Sequence, residues 1–201
     1  MNFANNGYFI QKQVLSKEIV ELITQYALFD EMQNPSIGDE QIKNAHSRYA
    51  DPLMEAVLLK IQKTIESITD LSLHPTYSYY RIYRSGDELV NHTDRPSCEI
   101  SATVCFDYEY SNKDFQWPIY MNGTALILEP GDIAVYRGCE VPHWRDKFIG
   151  EEDDWHIQGF FHYVDVNGPY ENYMYDGRST VGELKTKQEY KNQYPDYIKI
   201  L

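Results

Sequence analysis

Hydrophobic positions change their spacing once along this chain, near residue 70, and the change separates a helical part from a strand part. Before it, Ile19, Ile23, Tyr26 and Ala27 keep a helical period behind Ser16, which reads as an N-cap with Leu15 and Val20 placed as a hydrophobic staple. This predicts a helix to about Phe29. A second helix is expected from Asp51, with Pro52 at its first position and Met54, Val57, Leu58, Ile61, Ile65 and Ile68 on one stripe. Gly7 to Val14 reads as a short opening strand, and the polar stretch Asp30 to Asn44 as a loop.

From Tyr77 the period becomes two. Runs at Tyr77 to Arg84, Glu99 to Tyr108, Trp117 to Met121, Thr124 to Leu128, Asp132 to Arg137 and Trp155 to Asp165 read as strands. Asn122-Gly123 is a hairpin signal, and Glu129-Pro130-Gly131-Asp132 a short turn. Six closely spaced strands after two helices imply an antiparallel sandwich or barrel with the helices as an outer layer. One domain over 1–201 is expected: a helical layer about 16–70, a β core about 77–166, and a polar extension 167–201 with a weak helix near Glu183 to Gln193.

Composition narrows the function classes. Eighteen basic against 31 acidic residues give a net charge of -13, the opposite of what displaces counterions from duplex nucleic acid or anionic lipid. Cys98, Cys105 and Cys139 are an odd number with no close pair, so neither a disulfide framework nor a thiolate zinc site is written here. Without a signal-like start or an apolar run near the ~20 residues that span a bilayer, a soluble cytoplasmic protein is expected.

His92-Thr93-Asp94 places an imidazole and a carboxylate two residues apart, on one face of an extended strand. By itself this carries little, since six His and 31 acids in 201 residues give about 0.9 such pairs by chance. The surroundings carry more. Tyr83-Arg84-Ser85-Gly86 ends one strand and turns before the pair; downstream, Gly131-Asp132 opens a strand leading to Pro142-His143. Two His and one carboxylate, with one member distant, is the composition of the facial triad of non-haem Fe(II) enzymes, although such ligands also suit Zn(II) or Mn(II).

Over about Tyr77 to Val166 the chain resembles the prolyl-hydroxylase-like branch of the Fe(II)/2-oxoglutarate-dependent dioxygenases: Tyr83, Gly86, His92, Asp94 and His143 stand in the family's order and register. The resemblance implies a double-stranded β-helix (jelly-roll) core with the N-terminal helices on one sheet, Fe(II) held by His92, Asp94 and His143, and 2-oxoglutarate as co-substrate. It also implies hydroxylation of a peptide side chain (prolyl-type) or of a small molecule. The family's usual anchor for the distal carboxylate of 2-oxoglutarate falls about ten residues after the distal His, and here that window is Glu151-Glu152-Asp153-Asp154. Arg145 is the substitute expected, with Tyr83 beside it, because two residues beyond His143 in an extended segment it shares that residue's face. Lys147, His156 and Arg81 stand in reserve. A cupin-like enzyme using another metal and a non-catalytic jelly-roll binding module are the alternative readings.

Overall fold

The computed structural model describes residues 3–183 apart from 37, 40 and 44, so the expected helix near Glu183 to Gln193 lies almost wholly outside the described residues. A short helix α1 (Phe3–Asn6) and strand β1 (Tyr8–Gln11) precede helix α2 (Lys17–Gln33). Ser16 is its N-cap in extended conformation, but its side chain makes no capping bond; its carbonyl accepts from the Val20 amide at 3.0 Å. Leu15 and Val20 are both buried in the main core.

Helix α2 runs one turn beyond the expected Phe29. The reason lies in Asp30, whose carboxylate accepts from the Tyr80 hydroxyl (2.6 Å), Arg48 Nε (2.8 Å) and Asn34 Nδ2 (3.0 Å). A residue that reads as the start of a loop is thereby held on the last turns of a helix. Strand β2 (His46–Tyr49) also falls where no strand is expected, because its side chains are polar and it joins the sheet only at the edge. Helix α3 (Pro52–Thr69) begins as expected, with Asp51 accepting from the Leu53 and Met54 amides at 2.9 and 3.2 Å.

The remaining strands are β3 (Leu73–Arg84), β4 (Leu89–His92), β5 (Ile100–Glu109), β6 (Ile119–Met121), β7 (Thr124–Leu126), β8 (Ile133–Arg137), β9 (His143–Arg145) and β10 (Trp155–Asp165). They form two antiparallel sheets, one of six strands in the order β1-β8-β5-β10-β3-β2 and one of four in the order β4-β9-β6-β7. The Asn122-Gly123 turn joins β6 to β7 as expected, while the Pro130-Gly131 turn carries the chain from the small sheet to the large one. The expected strand from Trp117 begins two residues later, since Trp117 points its indole N–H at the Asp146 carbonyl (2.8 Å) ahead of the sheet.

Strand alternation sorts the two faces of the large sheet by chemistry. Ile100, Ala102, Val104 and Phe106 of β5 and Ile157, Phe161 and Tyr163 of β10 pack with Val20, Ile23, Met54, Leu58, Ile61 and Ile65 of the helices. Each buried Val, Ile, Leu, Met or Phe among them contributes about 1.5–3 kcal/mol. The alternate residues, Ser101, Thr103 and Cys105 on β5 and His156, Gln158, Phe160 and His162 on β10, face the small sheet. One face is an oily layer; the other is a polar interior closed by the second sheet.

Candidate metal centre

His92 ends β4 and His143 opens β9, and the two are paired directly across the small sheet. Asp94 follows β4, held by its amide to the Gly138 carbonyl at 2.8 Å. Gly138 is required there: a Cβ would lie 2.6 Å from Asp94 Oδ2 and 2.1 Å from the Cys98 carbonyl. One donor atom from each of His92, Asp94 and His143 lies within 4.8 Å of the others. Both histidine Nε2 atoms are 3.6 Å from Asp94 Oδ1.

The tautomers follow from the partners. His92 Nδ1 is 2.7 Å from the Val90 carbonyl and His143 Nδ1 is 2.9 Å from the Val141 carbonyl. A carbonyl only accepts, so each ring carries a hydrogen on Nδ1, and in its neutral form turns a bare Nε2 toward Asp94. Asp94 is divided in the same way. Its Oδ2 accepts from Ser101 Oγ (3.0 Å), which in turn accepts from His162 Nδ1 (2.9 Å), leaving Oδ1 toward the two histidines. Two bare imidazole nitrogens and one carboxylate oxygen converging on a single point are a donor set fit for a divalent transition metal. Asp94, Cys98 and His162 also lie close together, but the Cys98 thiol is pushed up in pKa by burial and meets the Tyr77 hydroxyl at 3.1 Å, so this second cluster braces the first.

Arg145 shares the face of His143 and is 1% exposed. Its Nη1 donates to the Trp117 carbonyl (2.7 Å) and its Nη2 to Gln158 Oε1 (2.9 Å). Nε has no hydrogen-bond partner, and no carboxylate lies within salt-bridge distance of the guanidinium among the described residues. His156 Nε2 stands 3.4 Å from Nη2, but it also donates to Gln158 Oε1 at 2.7 Å, while Nδ1 accepts from Tyr110 at 2.7 Å. Two donors therefore face each other there. Burial, then the charge of Arg145, holds His156 well below the ordinary histidine pKa, and burial lowers that of Arg145. The guanidinium lies over the Trp117 ring at 4.5 Å and 6.0 Å from the Tyr83 ring.

Tyr83, at the end of β3, is fully buried, sits edge-on to Trp117 and accepts from Arg81 Nη1 at 3.3 Å, which leaves its own hydroxyl hydrogen to donate. Gly86, in the following turn, takes φ +96°, a conformation suited to glycine. Lys147 is exposed, and Arg81 is engaged by Asp39. Asp154, the last residue of the acidic window 151–154, is buried, accepting from the Ser111 amide and hydroxyl and the Glu151 amide. Gln158, His162, Asp39 and Gln41 carry no sequence signal of their own. Alternation from Phe161 marks Gln158 and His162 as inward-facing; nothing marks the two loop residues.

No protein-family model matches the chain, and no curated protein does. Solved structures do. A Pseudomonas putida prolyl-4-hydroxylase superposes with TM-score 0.63 at 20% identity, over 80% of this chain and 94% of that one. The non-heme alpha ketoglutarate dependent epimerase SnoN from nogalamycin biosynthesis gives 0.69 at 12%, over 92% and 90%. HygX from Streptomyces hygroscopicus, with nickel, 2-oxoglutarate and hygromycin B bound, gives 0.62 at 13%, over 82% and 85%. The fold of this chain is thus the jelly roll that these proteins share. Among the described residues no helix is long and apolar enough to cross a membrane.

Proposed function

We propose that this chain is a non-haem Fe(II)- and 2-oxoglutarate-dependent oxygenase that hydroxylates a peptide side chain of prolyl type or a small molecule. His92 and His143 would hold iron through Nε2 and Asp94 through Oδ1, and Arg145 with Tyr83 would hold the distal carboxylate of 2-oxoglutarate. The single observation that carries the reading is Arg145: a buried cation with only neutral acceptors and an unpartnered Nε, two residues from a metal ligand and on its face. A buried charge without a counterion costs several kcal/mol, and a dicarboxylate reaching from the metal would remove that cost.

When bound, iron with 2-oxoglutarate supplies the activation of O2 that oxidises a C–H bond. The chain's own residues do the rest. The Val90 and Val141 carbonyls fix both imidazoles with Nε2 free, and Ser101 keeps Asp94 to one donor oxygen. Arg145 and the Tyr83 hydroxyl set the orientation of the co-substrate, and Trp117 and Tyr83 wall it from water. Adding Fe(II) and then 2-oxoglutarate to the metal-free protein without oxygen tests this: a visible charge-transfer absorption is expected only with both, followed by succinate release when O2 is admitted. No absorption change and no succinate would reject it.

A further inference from the structure

The open side of the metal ligands belongs to His92, whose side chain is 25% exposed against 13% for Asp94 and 3% for His143. On that side stands a second buried arginine. Arg81 of β3, its side chain 3% exposed, lies on the same strand face as Tyr83 and is set among the rings of Tyr79, Tyr83 and Phe160, at 5.4, 5.5 and 5.9 Å. Gln41 links it to the metal ligands: Arg81 Nη2 donates to Gln41 Oε1 (3.2 Å), and Gln41 Nε2 donates to His92 Nε2 (3.4 Å). Its carboxylate partner is Asp39, which comes from the connection between α2 and β2 and engages Nη2 through Oδ2, an oxygen it shares with the Tyr79 hydroxyl. Arg81 Nε is buried with no hydrogen-bond partner among the described residues.

We propose that Arg81 anchors a carboxylate of the substrate, and that Asp39 is the internal carboxylate this group displaces. The inference rests on the oxygenase reading and narrows it to a free carboxylic acid of amino-acid size, because a single side-chain amide, that of Gln41, spans the gap from Arg81 to His92. Gln41 covers the metal-facing nitrogen of His92, so its side chain must leave before a substrate can reach that face, and a carboxylate arriving there meets Arg81 in competition with Asp39. The charge balance then selects the substrate. Iron, Asp94, Arg145 and dianionic 2-oxoglutarate together are neutral, and Arg81 and Asp39 cancel each other. Whatever replaces Asp39 must therefore bring a negative charge, or a guanidinium is left buried and alone. A carboxylate presents two oxygens in one plane and can take the unpartnered Nε with a neighbouring nitrogen, a match Asp39 leaves unmade.

The test is calorimetric titration of the Ni(II)-loaded protein, its Arg145 end filled with N-oxalylglycine, with the L-amino acids, their primary amides and inorganic phosphate. At least one acid should bind ten or more times tighter than its amide, and Arg81→Gln should erase that preference. Asp39→Asn, which keeps Arg81 in place, should tighten the acid at least fivefold. Acids and amides binding alike or not at all, phosphate binding ahead of every acid, or an unchanged affinity in Asp39→Asn would each overturn the proposal. Failure of N-oxalylglycine to bind the Ni(II) protein would instead reject the oxygenase reading, and the acid–amide comparison on the metal-free protein would still read Arg81.

Discussion

Two regions of this molecule bury arginine, and they treat its charge in opposite ways. Behind the large sheet, Arg178 Nη1 meets Glu55 at 2.9 Å and also donates to the Glu183 carbonyl, while Nε and Nη2 donate to the carbonyls of Tyr175 and Thr76. Glu55 in turn accepts from Ser78 and Gly182, so that every charged atom of the pair is used. Inside the barrel, Arg145 has two neutral acceptors and an idle Nε. A fold that completes one buried cation and leaves another incomplete supports the proposal that a ligand completes the second. The lesson is that a buried charge marks a functional site by its missing counterion more than by its burial.

The largest effect is expected at the proposed metal ligands: His92→Ala, Asp94→Ala or His143→Ala should abolish Fe(II) retention in a chain that still folds, since three donors leave no spare. Wild-type iron affinity in each variant would count against the site. Next comes the paired region. Glu55→Gln leaves Arg178 buried without its partner and should cost about 3–5 kcal/mol in urea denaturation. A loss under 1 kcal/mol would show that the pair is not what completes that region.

A smaller effect belongs to the interior and to pH. Burial pushes His162 down to about 4, against about 6.5 when unfolded. Between those values the unfolded chain takes up a proton that the folded chain does not, so stability present above pH 6.5 is lost as pH falls toward 4, by about 3 kcal/mol. Denaturation of the metal-free protein across this range should show that slope and His162→Asn should reduce it, leaving the share that His156 contributes; an unchanged slope would place the acid sensitivity elsewhere. The smallest effect is the most telling. Arg145→Met should cost the ligand-free protein no more than about 1 kcal/mol and should raise its stability if anything, because it removes a charge that the fold never completed. A loss as large as that of Glu55→Gln would make Arg145 structural.

The division of the chain was legible because periodicity reports which face is oily. Ile100, Ala102, Val104 and Phe106 alternate with Ser101, Thr103 and Cys105, and that alternation alone assigns one set to the helices and the other to the interior. The three candidate ligands were legible by register, and Arg145 by lying two residues beyond His143 on the same strand face. Strand β2 was hidden because an edge strand of polar residues, bound through Asp30 and Ser36, has no hydrophobic period to betray it. Asp39 and Gln41 were hidden for a different reason. They reach Arg81 and His92 from about 40 and 50 residues away in sequence, contacts that only the folded chain creates.

Completion of the barrel interior by 2-oxoglutarate through Arg145, as proposed, is read most directly from the affinity of the Fe(II) protein for 2-oxoglutarate, without oxygen, in wild type and Arg145→Gln. Loss of a charge-assisted bidentate pair is worth about 2–4 kcal/mol, so affinity should fall by tens to several hundredfold. Iron binding should be retained, and Lys147→Gln, at an exposed position, should do much less. An Arg145→Gln protein that binds 2-oxoglutarate as tightly as wild type would contradict the account.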